Sequence, residues 1–269
     1  EIQACAREPL NELLMGFGVL LPSRNLCLAE DQGIRSAFEQ QVEVAAQTFN
    51  AHALQSIAGI KIKWTTSLSC HLEYNSTTRE ISVYRFASFC QFCLARYQGG
   101  KGRGVLHACA TTSRYMCQWA TEADTNQFLL EILRSYRLLF GQNKQSRRLF
   151  RSIDPNLGPN GNSGRDPLLS QLCGTRLLDP NLLDLGEEES PIVEKKTYCL
   201  PMDFPILRYR LVVLLRCLAA TEPRGWRQLW RDNRNSANWL TFWAVIAFGA
   251  FGSLMALLQV ILQAVQLCI

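Results

Sequence analysis

The C-terminal segment of the chain carries no charge, which limits the environments in which it can fold. Residues 239–269, "WLTFWAVIAFGAFGSLMALLQVILQAVQLCI", contain no Asp, Glu, Lys, Arg or His. A helix of about 20 apolar residues is long enough to cross the hydrocarbon core of a bilayer. A core helix of a soluble protein rarely reaches this length and usually has a polar face and a cap. The segment therefore predicts a transmembrane helix, with Trp239 and Trp243 at its interfacial end.

A glycolipid anchor is the alternative use of an apolar tail. The small residues of Asn235–Ala237 suit the cleavage site of such an anchor. The polar spacer that should separate the cleavage site from the apolar tail is missing, however. A transmembrane helix is therefore the better interpretation.

Basic residues immediately before the apolar segment predict its orientation. No basic residue follows the segment, and four precede it: Arg224, Arg227, Arg231 and Arg234. Lys and Arg beside a span stay on the cytoplasmic side of the membrane. We therefore expect a single-pass, tail-anchored protein whose N-terminal domain faces the cytosol.

The distribution of charge predicts the partners of this region. The chain has 28 Lys+Arg and 23 Asp+Glu, and the basic excess lies between Pro205 and Asn238. Arg residues there are interleaved with Trp226 and Trp230, a mixture that also occurs in proteins that bind nucleic acid. Beside a span, anionic headgroups for Arg and the membrane interface for Trp are the simpler explanation. We expect the lipid bilayer as the partner, and no nucleic acid.

One side of the apolar segment combines small residues with amides. At the helical repeat these residues fall on one face: Gly249, Gly252, Ser253, Ala256, Gln259, Gln263 and Gln266. Small residues let helix backbones approach each other in lipid, and amides hydrogen-bond across the interface. The face predicts self-association or contact with a partner helix. The alternative is that small residues are simply common in spans and that the Gln residues lie at the exit interface.

Ahead of this segment, periodicity predicts several elements. A helical repeat runs through Glu30–Ala58, and Gly59 ends it. Ile60, Ile62 and Trp64 then alternate with lysines, as in a half-buried strand. The turn formers Asn75–Thr78 lie between two β-rich runs and predict a hairpin. The Gly-rich residues 99–104 predict an exposed loop.

A second set of predictions covers the middle of the chain. A helix is expected over Gln127–Phe140, with a start capped by Asp124 and Gln127 and an end at Gly141. Its apolar face comprises Phe128, Leu129, Ile132, Leu133, Tyr136, Leu139 and Phe140. A short helix is expected at Leu168–Cys173 within a stretch rich in Pro and Gly.

These patterns predict a mainly α chain with a small β hairpin or sheet, an α+β class with one C-terminal transmembrane helix. We expect a globular cytosolic domain over residues 1–150 and a mobile linker with short helical pieces over 151–204. A basic amphipathic juxtamembrane helix is expected over 205–238 and the transmembrane helix over 239–269. The amphipathic face comprises Leu207, Leu211, Leu214, Leu215 and Leu218.

Cysteine and histidine provide one candidate metal site. Cys90 and Cys93 have the spacing of a zinc ligand pair, and His107 and Cys109 follow them. Because His107 and Cys109 are only two residues apart, their spacing does not suit the second half of a zinc knuckle. We therefore expect buried thiols at these positions, without metal or cofactor, and keep a metal-binding protein or a tethered enzyme as the alternative.

Catalytic motifs are otherwise missing. The run Gly99–Gly104 lacks the Lys-Ser/Thr ending of a P-loop. His71 follows Cys70, but adjacent residues on a strand point to opposite faces, which makes a catalytic pair there unfavourable. These observations favour a non-catalytic protein.

Several motifs carry a family resemblance that extends from about Gly59 to the end of the chain. They include "KWTTSLSCHLEY", "MDFPILRYRL", "LWRDNRNSANWLTFWAVIAFG" and "LLQVILQAVQ". The chain resembles a large family of uncharacterised fungal membrane proteins, whose members end in an apolar segment of this kind. The resemblance implies the transmembrane tail and no particular activity. A non-catalytic scaffold or interaction protein on the cytosolic face is the expected function.

Overall fold

The computed structural model describes residues 32–98, 106–107, 121–155, 166–177, 192, 194–221 and 236–268. The chain divides into two compact units, Glu1–Thr221 and Glu222–Ile269. The described part is mostly helical with a few short strands, which confirms the predicted fold class.

The first unit contains both the strands and most of the helices. In the described part of the chain its helices include α1 (Gln32–Gln40), α2 (Ala51–Ser56), α3 (Ala87–Gln98), α4 (Glu122–Tyr136), α5 (Lys144–Ile153), α6 (Pro167–Gly174), α7 (Leu200–Asp203) and α8 (Arg208–Ala220). A π-helix, Arg137–Gly141, directly continues α4. The strands are β1 (Glu43–Ala45), β2 (Lys61–Thr65), β3 (Tyr74–Asn75), β4 (Glu80–Tyr84) and β5 (Thr197–Cys199). The second unit contains α9 (Ser236–Cys268).

A three-stranded sheet confirms the predicted strand and hairpin. β4 lies in the middle, parallel to β2 and antiparallel to β3. In β2, Ile62 and Trp64 are half-buried whereas the lysines on either side of Ile62 are exposed, as the alternation predicts. Asn75 begins the hairpin turn, because its side chain accepts hydrogen bonds from the N–H groups of Thr77 and Thr78.

The prediction of one helix over Glu30–Ala58 is wrong. In the described residues 32–58 the structure has α1, then β1, then α2. Val44 of β1 pairs with Tyr198 of β5, a contact between residues far apart in sequence. Asn50 then starts α2 by accepting a hydrogen bond from the N–H of Ala53 at 3.0 Å. Local periodicity cannot report pairing with a distant strand, and this pairing divides the segment.

α4 and the π-helix form the centre of the core. All seven residues predicted for the apolar face of this helix are buried, which confirms the prediction. The cap differs from the predicted one, because Thr121 and Asp124 form a reciprocal capping box. Gln127 instead donates to the carboxylate of Glu131. Gly141 ends the π-helix.

The described part of residues 151–204, expected to be a linker, contributes to the core of the first unit. The helix predicted at Leu168–Cys173 is present as α6. Side chains from α6, β5 and α7 are buried: Leu168, Leu169, Leu172, Cys173, Tyr198 and Leu200. α8 confirms the predicted apolar face, with Leu207, Leu211, Leu214 and Leu218 buried and Leu215 half-buried. The Gly-rich residues 99–104 and the four Arg residues before α9 lie outside the described residues.

Candidate membrane anchor and the polar sites of the domain

The membrane-anchor candidate is α9. This 33-residue helix is about 50 Å long at 1.5 Å per residue, more than the roughly 30 Å of a hydrocarbon core. Trp243–Val260 has the length and apolarity needed to span a membrane, and none of it is buried. Phe248 is 77% exposed and Phe251 is 60% exposed. A core helix of a soluble protein would bury such side chains, so this finding agrees with the predicted C-terminal anchor.

The small-residue face of α9 has room for a close neighbour. Apart from the adjacent residues and backbone of α9 itself, no atom lies within 4 Å of the position that a Cβ would occupy at Gly249 or Gly252. Ser253 donates its hydroxyl to the carbonyl of Gly249 at 2.9 Å, which satisfies this polar group within the helix. Ala256 and Gln259 are also exposed, as is Gln263 further along. The geometry permits the predicted helix–helix contact, which stays a prediction.

The candidate zinc ligands do not come together in the described part of the chain. Cys90 and Cys93 are buried on α3, and burial raises the pKa of Cys93 to about 11 and that of Cys90 well above its ordinary value. His107 donates a hydrogen bond from Nε2 to Asn126 Oδ1 (2.8 Å) and stacks on Tyr97. Among the described residues, no group of three or more His, Cys, Asp or Glu could hold a metal ion. Cys109 lies outside the described residues.

His71 forms a buried serine–histidine contact that the sequence does not predict. It is fully buried in a turn rather than on a strand, and its Nε2 lies 2.7 Å from Ser135 Oγ. Its Nδ1 accepts a hydrogen bond from the Tyr84 N–H at 3.1 Å. Ser135 donates its only hydroxyl proton to the carbonyl of Ile132 at 2.7 Å.

These bonds determine the protonation of the pair. Because the Ser135 hydroxyl donates elsewhere, Nε2 of His71 carries the proton and donates it to Ser135. A nitrogen that donates to a hydroxyl cannot serve as the base that activates it. Burial, followed by the charge of Arg210, lowers the pKa of His71 to about 3. The pair therefore stabilises the turn and is not a nucleophile–base pair.

Two buried carboxylates bind the starts of helices. Glu131, which is fully buried, accepts hydrogen bonds from the backbone N–H groups of Ile206 and Leu207, the latter at 2.6 Å. These groups precede the first turn of α8, where unpaired N–H groups and the helix dipole favour a negative charge. Asp166 performs the same role at α6 through Leu169 and also accepts from Ser88.

Arg137 binds the opposite end of a helix. Its fully buried guanidinium donates to the carbonyls of Leu172 (2.9 Å), Thr175 (2.9 Å) and Arg176 (2.7 Å), which follow or close α6. It also forms an ion pair with Glu194. Burial lowers the pKa of Arg137. Glu131 and Arg137 could have been recognised from the sequence as candidate buried charges, because both interrupt the apolar run "FLLEILRSYRLLF".

The chain matches no protein-family model, no curated protein and no solved structure.

Proposed function

We propose that this chain is a membrane-anchored, non-catalytic scaffold or interaction protein whose domain faces the cytosol. The observation that carries the proposal is the unburied apolar stretch Trp243–Val260 of α9. In the proposed topology the preceding Arg residues stay on the cytosolic side and contact anionic headgroups. The face formed by Gly249, Gly252 and Ser253 binds a second copy or a partner helix. On the basis of the motifs quoted above, we also propose that the chain belongs to the family of fungal membrane proteins that it resembles.

The roles of the buried polar groups support a function without catalysis. Glu131, Asp166 and Arg137 bind helix ends, and His71 binds the backbone of Tyr84. Groups that are held this firmly by the backbone are not free to bind and release a substrate. These four residues therefore support a structural role for the interior of the domain.

The surface of α3 supports a role in binding. Phe89 is 42% exposed and Phe92 is 60% exposed, and residues three apart on a helix share one face. Neighbouring exposed aromatic side chains are typical of contact surfaces.

Carbonate extraction tests the anchor. We expect alkaline carbonate to leave the full chain in the membrane fraction, because the apolar stretch contributes favourably to insertion along its length. A chain that ends at Asn238 should be largely soluble. Release of the full chain by carbonate would contradict the proposal.

Glycosylation tests the proposed sidedness. Asn75 begins an Asn-Ser-Thr acceptor, and it is exposed in the hairpin turn. Glycans are attached to such acceptors in secreted and lumenal domains, so a cytosolic domain leaves Asn75 unmodified. A glycosidase-sensitive mobility shift that disappears in Asn75→Gln would place the domain in the lumen.

A further inference from the structure

A cluster of cationic side chains lies on α5 and on the loop after α6. In the sequence, this cluster is separate from the four Arg residues that precede α9. It comprises Lys144, Arg147, Arg148, Arg151 and Arg176, and we refer to it as the α5 basic patch. α5 contains no acidic residue. In the described part of the chain none of the five forms an ion pair.

Two members of the patch, Arg151 and Arg176, lie close enough to Arg147 for their charges to repel it. Partial burial lowers the pKa of Arg147, and the nearby positive charges of Arg176 and Arg151 lower it further. Like charges held together without a counter-charge cost free energy in the folded state. An anionic ligand would remove that repulsion.

The fold holds the patch in place. Arg147 donates to the carbonyl of Gly141, the last residue of the π-helix, and Arg151 donates to the carbonyl of Gly174 at the end of α6. The carbonyl of Arg176 accepts from the buried Arg137. On its other face α5 is fixed by Phe150, which is buried in the core. For Arg147 and Arg151, part of the entropy cost of ordering the side chains is therefore met in folding rather than in binding.

We propose that the α5 basic patch docks the domain on the anionic headgroups of the bilayer into which α9 inserts. The inference depends on the proposed membrane anchor. Residues 222–235, if fully extended, could span at most about 50 Å, so the bilayer surface stays at a high effective concentration around the domain. Each Lys or Arg that contacts an anionic bilayer strengthens the binding of the domain to that bilayer roughly fivefold.

Nucleic acid is a less suitable ligand for this surface. Proteins that bind single strands combine cationic grooves with exposed aromatic side chains on which bases stack. The exposed positions of α5 are Lys144, Gln145, Arg148, Arg151 and Ser152, and none is aromatic. A flat array of cations without stacking partners suits lipid headgroups better.

Fluorescence quenching in nanodiscs tests the proposal. The full chain would carry a fluorescent amino acid at the exposed Gln145 and would be inserted into discs that contain a headgroup quencher. We expect quenching in discs of phosphatidylcholine mixed with phosphatidylserine. We expect little quenching in phosphatidylcholine alone, and a loss of quenching at high salt because the contact is electrostatic. The same fluorophore at Thr77, in the hairpin turn, provides the positional comparison.

Two charge-matched variants separate the patch from general electrostatics. The test variant combines Lys144→Gln, Arg148→Gln and Arg176→Gln, whose side chains make no hydrogen bond in the described structure. The control variant removes the same charge from exposed residues elsewhere through Arg35→Gln, Lys61→Gln and Lys63→Gln. The test variant should lower the ratio of docked to undocked domain roughly 100-fold and abolish quenching, while the control retains it.

The possible failures are distinguishable. Exclusion of the chain from both kinds of disc would overturn the membrane anchor and the docking proposal together. Insertion with quenching that does not depend on phosphatidylserine, or equal loss in the two variants, would overturn only the docking proposal.

Discussion

Acidification should destabilise the domain through His71, because the folded state cannot accommodate a second proton on this ring. Nδ1 accepts the N–H of Tyr84, and Nε2 already donates to Ser135. A proton on Nδ1 would therefore face another donor in a fully buried site next to Arg210. The resulting pKa of about 3 lies below the ordinary value of 6.5.

The direction of the effect follows from the difference in pKa. The unfolded chain binds a proton at His71 as the pH falls through 6.5, whereas the folded chain binds it only near pH 3. The stability contributed by the neutral ring is therefore fully present above pH 6.5 and is lost progressively between that value and pH 3. Between pH 7 and pH 5, we expect this residue alone to reduce the free energy of unfolding by about 2 kcal/mol.

Urea unfolding of the full chain in detergent, measured at several pH values, tests this prediction. Other groups also titrate in this range, so the informative quantity is the difference in pH dependence between the wild type and His71→Gln. The variant should be less stable at pH 7 and should lose about 2 kcal/mol less on acidification to pH 5. His52→Gln is the control, and it should keep the loss of about 2 kcal/mol that His71 contributes between pH 7 and pH 5. Parallel pH profiles for the wild type and His71→Gln would refute the reasoning.

Three further predictions concern the interior of the domain. Gly141→Ala should lower stability by about 2–4 kcal/mol in urea unfolding, because the new Cβ would lie 2.5 Å from the buried guanidinium of Arg137. The control Gly174→Ala, whose Cβ would make only ordinary van der Waals contacts, should be nearly neutral. Glu131→Gln keeps the shape but removes the charge that binds the start of α8, and should cost about 2–3 kcal/mol; an unchanged unfolding midpoint would contradict this role. Ser substitutions at Cys90 and Cys93 should leave bound zinc unchanged, and elemental analysis showing one tightly held zinc that these variants lose would support the metal-binding alternative.

Features that depend on neighbouring residues could be predicted from the sequence. The apolar stretch of α9 is identified by the lack of charge over a continuous run, and its exposure in the structure agrees with that prediction. The hairpin follows from turn residues such as Asn75, whose bonds reach only two and three residues ahead. The buried face of α4 follows from helical spacing. Each signal lies within a short stretch, so no knowledge of distant contacts is needed.

Features that depend on distant residues were decided by the tertiary structure. Pairing of Val44 with Tyr198 turns part of a predicted helix into a strand. Glu131 meets the start of α8 and Arg137 meets the end of α6 only because the core brings them together. The α5 basic patch likewise needs Arg176 from another element. A local pattern shows that a charged residue interrupts an apolar face. A buried charge is stable only when polar groups bind it, and only the packing of the whole domain determines which distant backbone groups do so.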